Sequence, residues 1–176
     1  NVAAFGIDGC NSMLIGESMN TDSLCFIITG DLAFFYDMNS LGIRHIKNNI
    51  RILLINNNSG EEFEIMTEHW KMKPTLDRFI SASGHNGNAK GWAENCGFEY
   101  LEAHDKGDFQ RVRSSFLSHH DKPVIMECFT CAADEALAND ALVSSQLIKP
   151  KPGVFKNVVK NILGDSGVEL IKKIVK

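Results

Sequence analysis

The sequence predicts a doubly wound α/β layer, a mostly parallel sheet with helices on both faces, followed by a C-terminal helical tail. Two observations carry this. The apolar runs at 24–29 and 52–55, the second within a strand at 50–55, show no polar alternation, the pattern of strands buried on both faces of a parallel sheet. Between such runs lie segments with apolar residues near helical spacing, so strands alternate with helices and βαβ units follow. Residues 1–148 are expected to form the α/β domain and 149–176 an amphipathic tail packed on it or on a partner.

The elements follow in order. Residues 8–19 read as a helix capped by Asp8 and carrying Met13, Leu14 and Met19, with Gly16 allowing close packing. The strand at 24–29 comes next. Residues 32–46 read as a helix through Phe35, Met38, Ile43 and Ile46, ended by Asn48 and Asn49. After the strand at 50–55, residues 58–87 hold Asn, Ser and Gly clusters around apolar pieces, the pattern of an active-site loop or short helix. A helix at 89–96 stops at Gly97, a short strand follows at 98–101, and a helix at 109–118 leads through the turn 119–123 to a last strand at 124–129. A helix over 133–142 ends before Lys149-Pro150-Lys151-Pro152-Gly153. Beyond it Val158, Val159, Ile162, Val168, Leu170, Ile171 and Ile174 recur among lysines, an amphipathic helix pair interrupted at Gly164-Asp165-Ser166-Gly167.

Composition narrows the function. At 176 residues the chain is one domain by size, long enough for a sizeable core. A formal charge of −4 with scattered basic residues argues against nucleic acid. No apolar run of ~18 residues exists to span a membrane. The chain opens on Asn1 without Met or a cleavable leader, and reads as a cut inside a longer protein or a separate subunit. Five cysteines, an odd number set mostly in apolar segments, fit reduced thiols in the cytoplasm. Cys128 and Cys131 have CxxC spacing without a second ligand pair, so a strand end with two incidental thiols is the better reading.

The chemistry gathers at two strand ends. Gly30-Asp31 closes the first apolar run, and Asn56-Asn57-Asn58-Ser59-Gly60 closes the second. Ligands in doubly wound sheets sit outside the carboxyl ends of strands. A carboxylate, a carboxamide and a freed carbonyl there suit Mg²⁺, which keeps positions open for phosphate oxygens. The bland alternative is a strand-end Asp capping the next helix, beside an Asn turn.

The stretch Gly30-Asp31-Leu32-Ala33-Phe34-Phe35-Tyr36-Asp37-Met38-Asn39 through Asn56-Asn57-Asn58-Ser59-Gly60 resembles the Gly-Asp to Asn-Asn signature of thiamine diphosphate enzymes. Gly6-Ile7-Asp8-Gly9, with Ser12 and Gly16, resembles a segment of one branch, the thiamine-dependent synthases of menaquinone biosynthesis. The resemblance covers about residues 1 to 135.

It implies a diphosphate-binding domain of an enzyme acting on a 2-oxo acid, by decarboxylation with or without carboligation. Asp31, Asn57 and the carbonyl of Ser59 would hold Mg²⁺; a one-residue slip would shift the pair to Asn58 and Gly60. After Gly30, Leu32 and Ala33 would offer backbone N–H groups to the diphosphate. Leu32 stands where the family often has Gly. Ile7 would be the apolar wedge that bends the cofactor, and the Gly6 carbonyl would accept from its amine. The catalytic glutamate would come from a pyrimidine-binding domain of the same or another polypeptide, so the isolated chain should be inactive. No catalytic residue is assigned within it; His85 is the side chain of the 61–90 region suited to proton transfer. Val2 replaces the branch's substrate-holding Arg, which leaves the 2-oxo acid open.

A homodimer or higher assembly is implied, covering an apolar carboxyl edge of Ile7, Phe34 and the 59–66 loop with Phe63, Ile65 and Met66. Two other classes stay open. One is a doubly wound nucleotide-binding domain, though no GxGxxG turn follows a strand. The other is a non-catalytic scaffold of the same fold.

Overall fold

The computed structural model describes residues 7–60, 79 and 84–146. The chain divides into two compact units, Asn1–Asn139 and Asp140–Lys176. Gly6, the segment 61–83 apart from Phe79, and the tail at 149–176 lie outside the described residues, as do Val2, Phe63, Ile65 and Met66.

The described sheet has four strands, β1 (Cys25–Gly30), β2 (Ile50–Asn56), β3 (Glu99–Ala103) and β4 (Val124–Phe129), in the order β1-β2-β4-β3. Every pairing is parallel, so all carboxyl ends lie on one edge. The helices are α1 (Cys10–Ser18), α2 (Asp31–Tyr36), α3 (Lys90–Asn95), α4 (Lys106–Leu117) and α5 (Ala132–Gln146), with a 3₁₀ turn at Met38–Gly42.

Strand parity sorts the helices onto two faces. On one face Ile50, Ile52, Leu54 and Ile125 meet Leu14 and Ile15 of α1, Phe34 of α2 and Ala93 of α3. On the other, Val124, Met126 and Cys128 meet Phe116 of α4, with Leu53, Ile55, Leu101, Phe109 and Val112 around them. The expected doubly wound α/β layer is thus the observed fold.

Local details depart from the sequence reading. The N-cap of α1 is Gly9 at φ 70°, not Asp8, and a side chain from outside the helix, that of Asp37, accepts a first-turn N–H. A Cβ at Gly16 would meet nothing within 4 Å among the described residues, so that glycine does not serve close packing. The helix expected over 32–46 ends at Tyr36. Asp37 follows at φ −111°, ahead of the 3₁₀ turn, and its carboxylate accepts from the backbone N–H and hydroxyl of Ser12, at 2.7 and 2.8 Å, at the start of α1.

β1 is not buried on both faces. It forms an edge of the described sheet, with Phe26 47% and Ile28 73% exposed on one face. Phe34, expected at the exposed edge, is fully buried in the core. Its side chain faces the sheet, where burying a phenyl contributes about 1.5 to 3 kcal/mol.

At the amino end of the sheet, Arg51 is fully buried. Its guanidinium donates to the carbonyls of Phe116 (3.0 Å) and Ser118 (2.7 Å) at the end of α4, and to those of Asn48 and Ile50 (both 2.8 Å). A residue of β2 thereby satisfies carbonyls that a helix C-terminus leaves without intrahelical partners. Burial lowers the guanidinium's proton affinity and Glu99 opposes that fall.

Candidate functional site

Asp31 opens α2 immediately after β1 and is 1% exposed. Its Oδ1 accepts from the N–H of Leu32 at 2.6 Å, and its Oδ2 accepts from the N–H of Asn58 at 2.7 Å. The carboxyl ends of β1 and β2 are therefore tied through one carboxylate. Among the described residues neither Lys nor Arg pairs with it. A buried carboxylate is costly unless charge or several donors balance it.

His85 is the remaining neighbour. Its Nδ1 accepts from the N–H of Gly87 at 3.1 Å, which leaves the proton on Nε2, 3.1 Å from Asp31 Oδ2. The ring stands edge-on to Phe35 at 5.6 Å. The structure thus brings His85 to the expected metal carboxylate.

The loop after β2 is fixed side chain by side chain. Asn57 Oδ1 accepts from the Ser59 N–H at 3.0 Å, a local Asn turn, and Asn57 Nδ2 donates to Glu135 of α5 at 2.7 Å. Asn58 adopts φ 64°, a left-handed conformation that Asn tolerates better than most residues. Its side chain is exposed, and its carbonyl accepts from Gly84 N–H at 2.8 Å. Ser59 is buried. The loop returns to the sheet where Thr130 N–H donates to the Asn56 carbonyl at 2.9 Å, just past β4.

Asp31, Asn58 and His85 are therefore in direct contact. Asn57 and Ser59 occupy the same loop, with the Asn57 carboxamide turned to Glu135 and Ser59. Gly30 is the last residue of β1, Leu32 and Ala33 are half-buried in α2, and Ile7 is half-buried ahead of α1.

Three participants escaped the sequence reading. Asn56, fully buried, donates from Nδ2 to Gly87 O at 2.9 Å and to Glu127 Oε1 at 2.7 Å, while its Oδ1 accepts from Asn58 N–H at 3.3 Å. Glu127, fully buried on β4, takes two more donors on Oε2: the Ala89 N–H at 2.9 Å and the Tyr100 hydroxyl at 2.6 Å. Burial, then the bond to Glu127, raises the Tyr100 phenol above its ordinary range. Glu135 is the third. A signal existed for Glu127, the only acid inside the apolar run of β4.

The donor chemistry fits a hard divalent cation. One carboxylate, one carboxamide and one carbonyl are all oxygen donors, and the Asn57 oxygen keeps a lone pair beyond its bond to Ser59. Among the described residues no group of three or more His, Cys, Asp or Glu could hold a metal, so a thiolate or imidazole zinc centre is not built here. All five cysteines are free. Burial raises the Cys128 and Cys96 thiols, the opposite of an activated thiolate. No described helix is long and apolar enough to cross a membrane.

Fold and site together define a parallel α/β domain that gathers oxygen and N–H groups at the carboxyl edge of its sheet. No family profile matches the chain. Curated relatives named 2-succinyl-5-enolpyruvyl-6-hydroxy-3-cyclohexene-1-carboxylate synthase do. That of Bacteroides fragilis is 42% identical over 132 residues, covering 74% of this chain and 23% of its own length. That of Bacteroides thetaiotaomicron is 38% identical over the same span and shares, and that of Christiangramia forsetii is 36% identical over 130 residues, 74% of this chain and 22% of its own. The chain is homologous to one segment of these synthases, the branch that its motifs resemble. It spans less than a quarter of their length.

Proposed function

We propose that this chain provides the diphosphate and Mg²⁺ side of a thiamine diphosphate site in an enzyme that acts on a 2-oxo acid. The observation that carries the reading is Asp31. It is a buried carboxylate without a Lys or Arg partner among the described residues, at the carboxyl end of a parallel strand and in contact with the loop that holds Asn57 and Ser59. A divalent cation is the counter-charge such a group lacks.

Asp31, the Asn57 carboxamide and the Ser59 carbonyl hold the cation in this reading. Asn58 shapes the loop and, through its backbone N–H, ties it to Asp31. Ala33 offers its N–H to the diphosphate after Gly30, and Leu32 does so once its N–H leaves Asp31 Oδ1, while Gly6 and Ile7 receive the pyrimidine end of the cofactor. His85 donates to Asp31 and orients it, as residues behind a metal ligand do. The bound cofactor supplies an electron sink for the carbon that loses carbon dioxide. This chain binds, orients and neutralises charge.

A pyrimidine-binding domain, from the same or another polypeptide, supplies the glutamate for proton transfer and covers the carboxyl edge. Assembly as a dimer or higher oligomer follows, in a reducing compartment such as the cytoplasm where the five free thiols persist. Whether decarboxylation is followed by carboligation depends on that domain. Titration calorimetry tests the reading: thiamine diphosphate should bind with Mg²⁺ and not with chelator, and NAD should not bind in either case. Equal heats with and without Mg²⁺ would refute it.

A further inference from the structure

Glu127 sits two residues from the end of a central strand, with no solvent access and no charged partner among the hydrogen bonds and ion pairs of the described residues. The oxygens of a carboxyl in such a place must be satisfied by donors, and three converge on them. They come from three directions: Asn56 from the end of β2, Ala89 from the segment before α3, and Tyr100 from β3. We infer that Glu127 is the positioning residue of the site, setting through Asn56 the placement of the 56–59 loop and the 85–87 turn around Asp31. This rests on the proposed metal and diphosphate site.

The connectivity is a closed circuit. Glu127 Oε1 accepts one hydrogen of the Asn56 amide and thereby fixes which end of that carboxamide is oxygen. The same Nδ2 holds the Gly87 carbonyl, and the oxygen end accepts the Asn58 N–H. Asn58 N–H also reaches Asp31 Oδ2, and Gly87 N–H fixes the His85 ring, whose other nitrogen faces the same Asp31 oxygen. Glu127 touches neither Asp31 nor Asn57. Its Oε1 bears on them through the orientation of the Asn56 carboxamide alone, the other donors around Asp31 being backbone N–H groups and His85.

A glutamine cannot replace it. An amide nitrogen placed on the Oε2 side would face the Ala89 N–H, donor against donor. Placed on the Oε1 side it would face the Asn56 amide hydrogens, and relief would require Asn56 to turn over. The turned Asn56 would present its nitrogen to the Asn58 N–H and its oxygen to the Gly87 carbonyl, so both bonds would be lost.

The test uses the full chain with Mn²⁺ and thiamine diphosphate, free Mn²⁺ being read by electron paramagnetic resonance. Asp31→Asn is the control for the site itself. Glu127→Gln should weaken Mn²⁺ binding about 10- to 100-fold, the range for partners behind a metal ligand. Tyr100→Phe removes a donor from the same carboxylate on the side away from Asn56; it should lower the melting temperature yet leave affinity near wild type. In the metal-free chain, Glu127→Gln should move the amide resonances of Asn58 and Gly87, and Tyr100→Phe should not. Affinity losses that merely track melting temperature across the two variants would overturn the inference, as would unmoved Asn58 and Gly87 resonances in Glu127→Gln. Absent Mn²⁺ binding, or binding unaffected by Asp31→Asn, would overturn the metal-site reading, whatever the resonances show.

Discussion

The backbone N–H of Asn58 donates to Asp31 Oδ2 at 2.7 Å, joining the ends of β1 and β2 across 27 residues of sequence. This single bond makes one carboxylate answerable to two strands. Loop placement and carboxylate orientation therefore cannot vary independently.

Asp31→Ala removes the charged member of the proposed ligand set. Mg²⁺-dependent affinity for thiamine diphosphate should fall by at least ~2 to 3 kcal/mol, the scale of a lost charge-assisted contact. Calorimetry at matched Mg²⁺ measures this, and unchanged binding in the variant would remove Asp31 from the site.

Arg51→Met keeps bulk at the amino end of the sheet but deletes the donors to the Phe116, Ser118 and Asn48 carbonyls. Each buried carbonyl left without a partner costs about 1 to 3 kcal/mol, and the bonds to Phe116 and Ile50 are the buried ones, so the loss should reach at least ~2 kcal/mol. Urea unfolding followed by circular dichroism gives the value. A change under ~1 kcal/mol would mean that water replaces the guanidinium.

Tyr100 makes stability depend on alkaline pH. Its phenol is raised in the folded chain by burial, then by Glu127, so the neutral form is favoured there. The unfolded phenol ionises near pH 10. The contribution is intact below about pH 10 and is lost as pH rises further, because the unfolded state then sheds a proton that the folded state retains. Unfolding midpoints should decline above about pH 10 in the wild type, and less steeply in Tyr100→Phe.

The purified chain should not decarboxylate 2-oxo acids by itself, even with thiamine diphosphate and Mg²⁺. The glutamate for proton transfer is expected from a pyrimidine-binding domain. Carbon dioxide release from pyruvate-like substrates without a second polypeptide would show that the acid–base group lies within this chain.

Much of this architecture was readable from local pattern. The strand at 124–129 emerged with its expected bounds, and the carboxyl-edge placement of Asp31 and Asn57 followed from two apolar runs and their polar ends. What escaped depends on distant partners. The helix after β1 gives way to a 3₁₀ turn beyond Asp37, whose carboxylate is bound by Ser12, 25 positions earlier. Glu127 acquires its role from Asn56, 71 positions away, and Ala89, 38 away. Nothing in the apolar run 24–29 distinguishes a central strand from an edge, since that depends on what lies beside it.

That edge also bears on how the isolated chain behaves in solution. The row of N–H and C=O groups on β1 that faces away from β2 has no strand partner among the described residues, and Phe26 and Ile28 add an apolar strip beside it. An edge strand that nothing else in the chain covers templates the addition of strands from other molecules. Where that edge is open, colloidal behaviour is governed separately from folding free energy: better core packing would leave edge-to-edge association untouched, whereas Ile28→Lys would oppose it by placing a charge beside the edge.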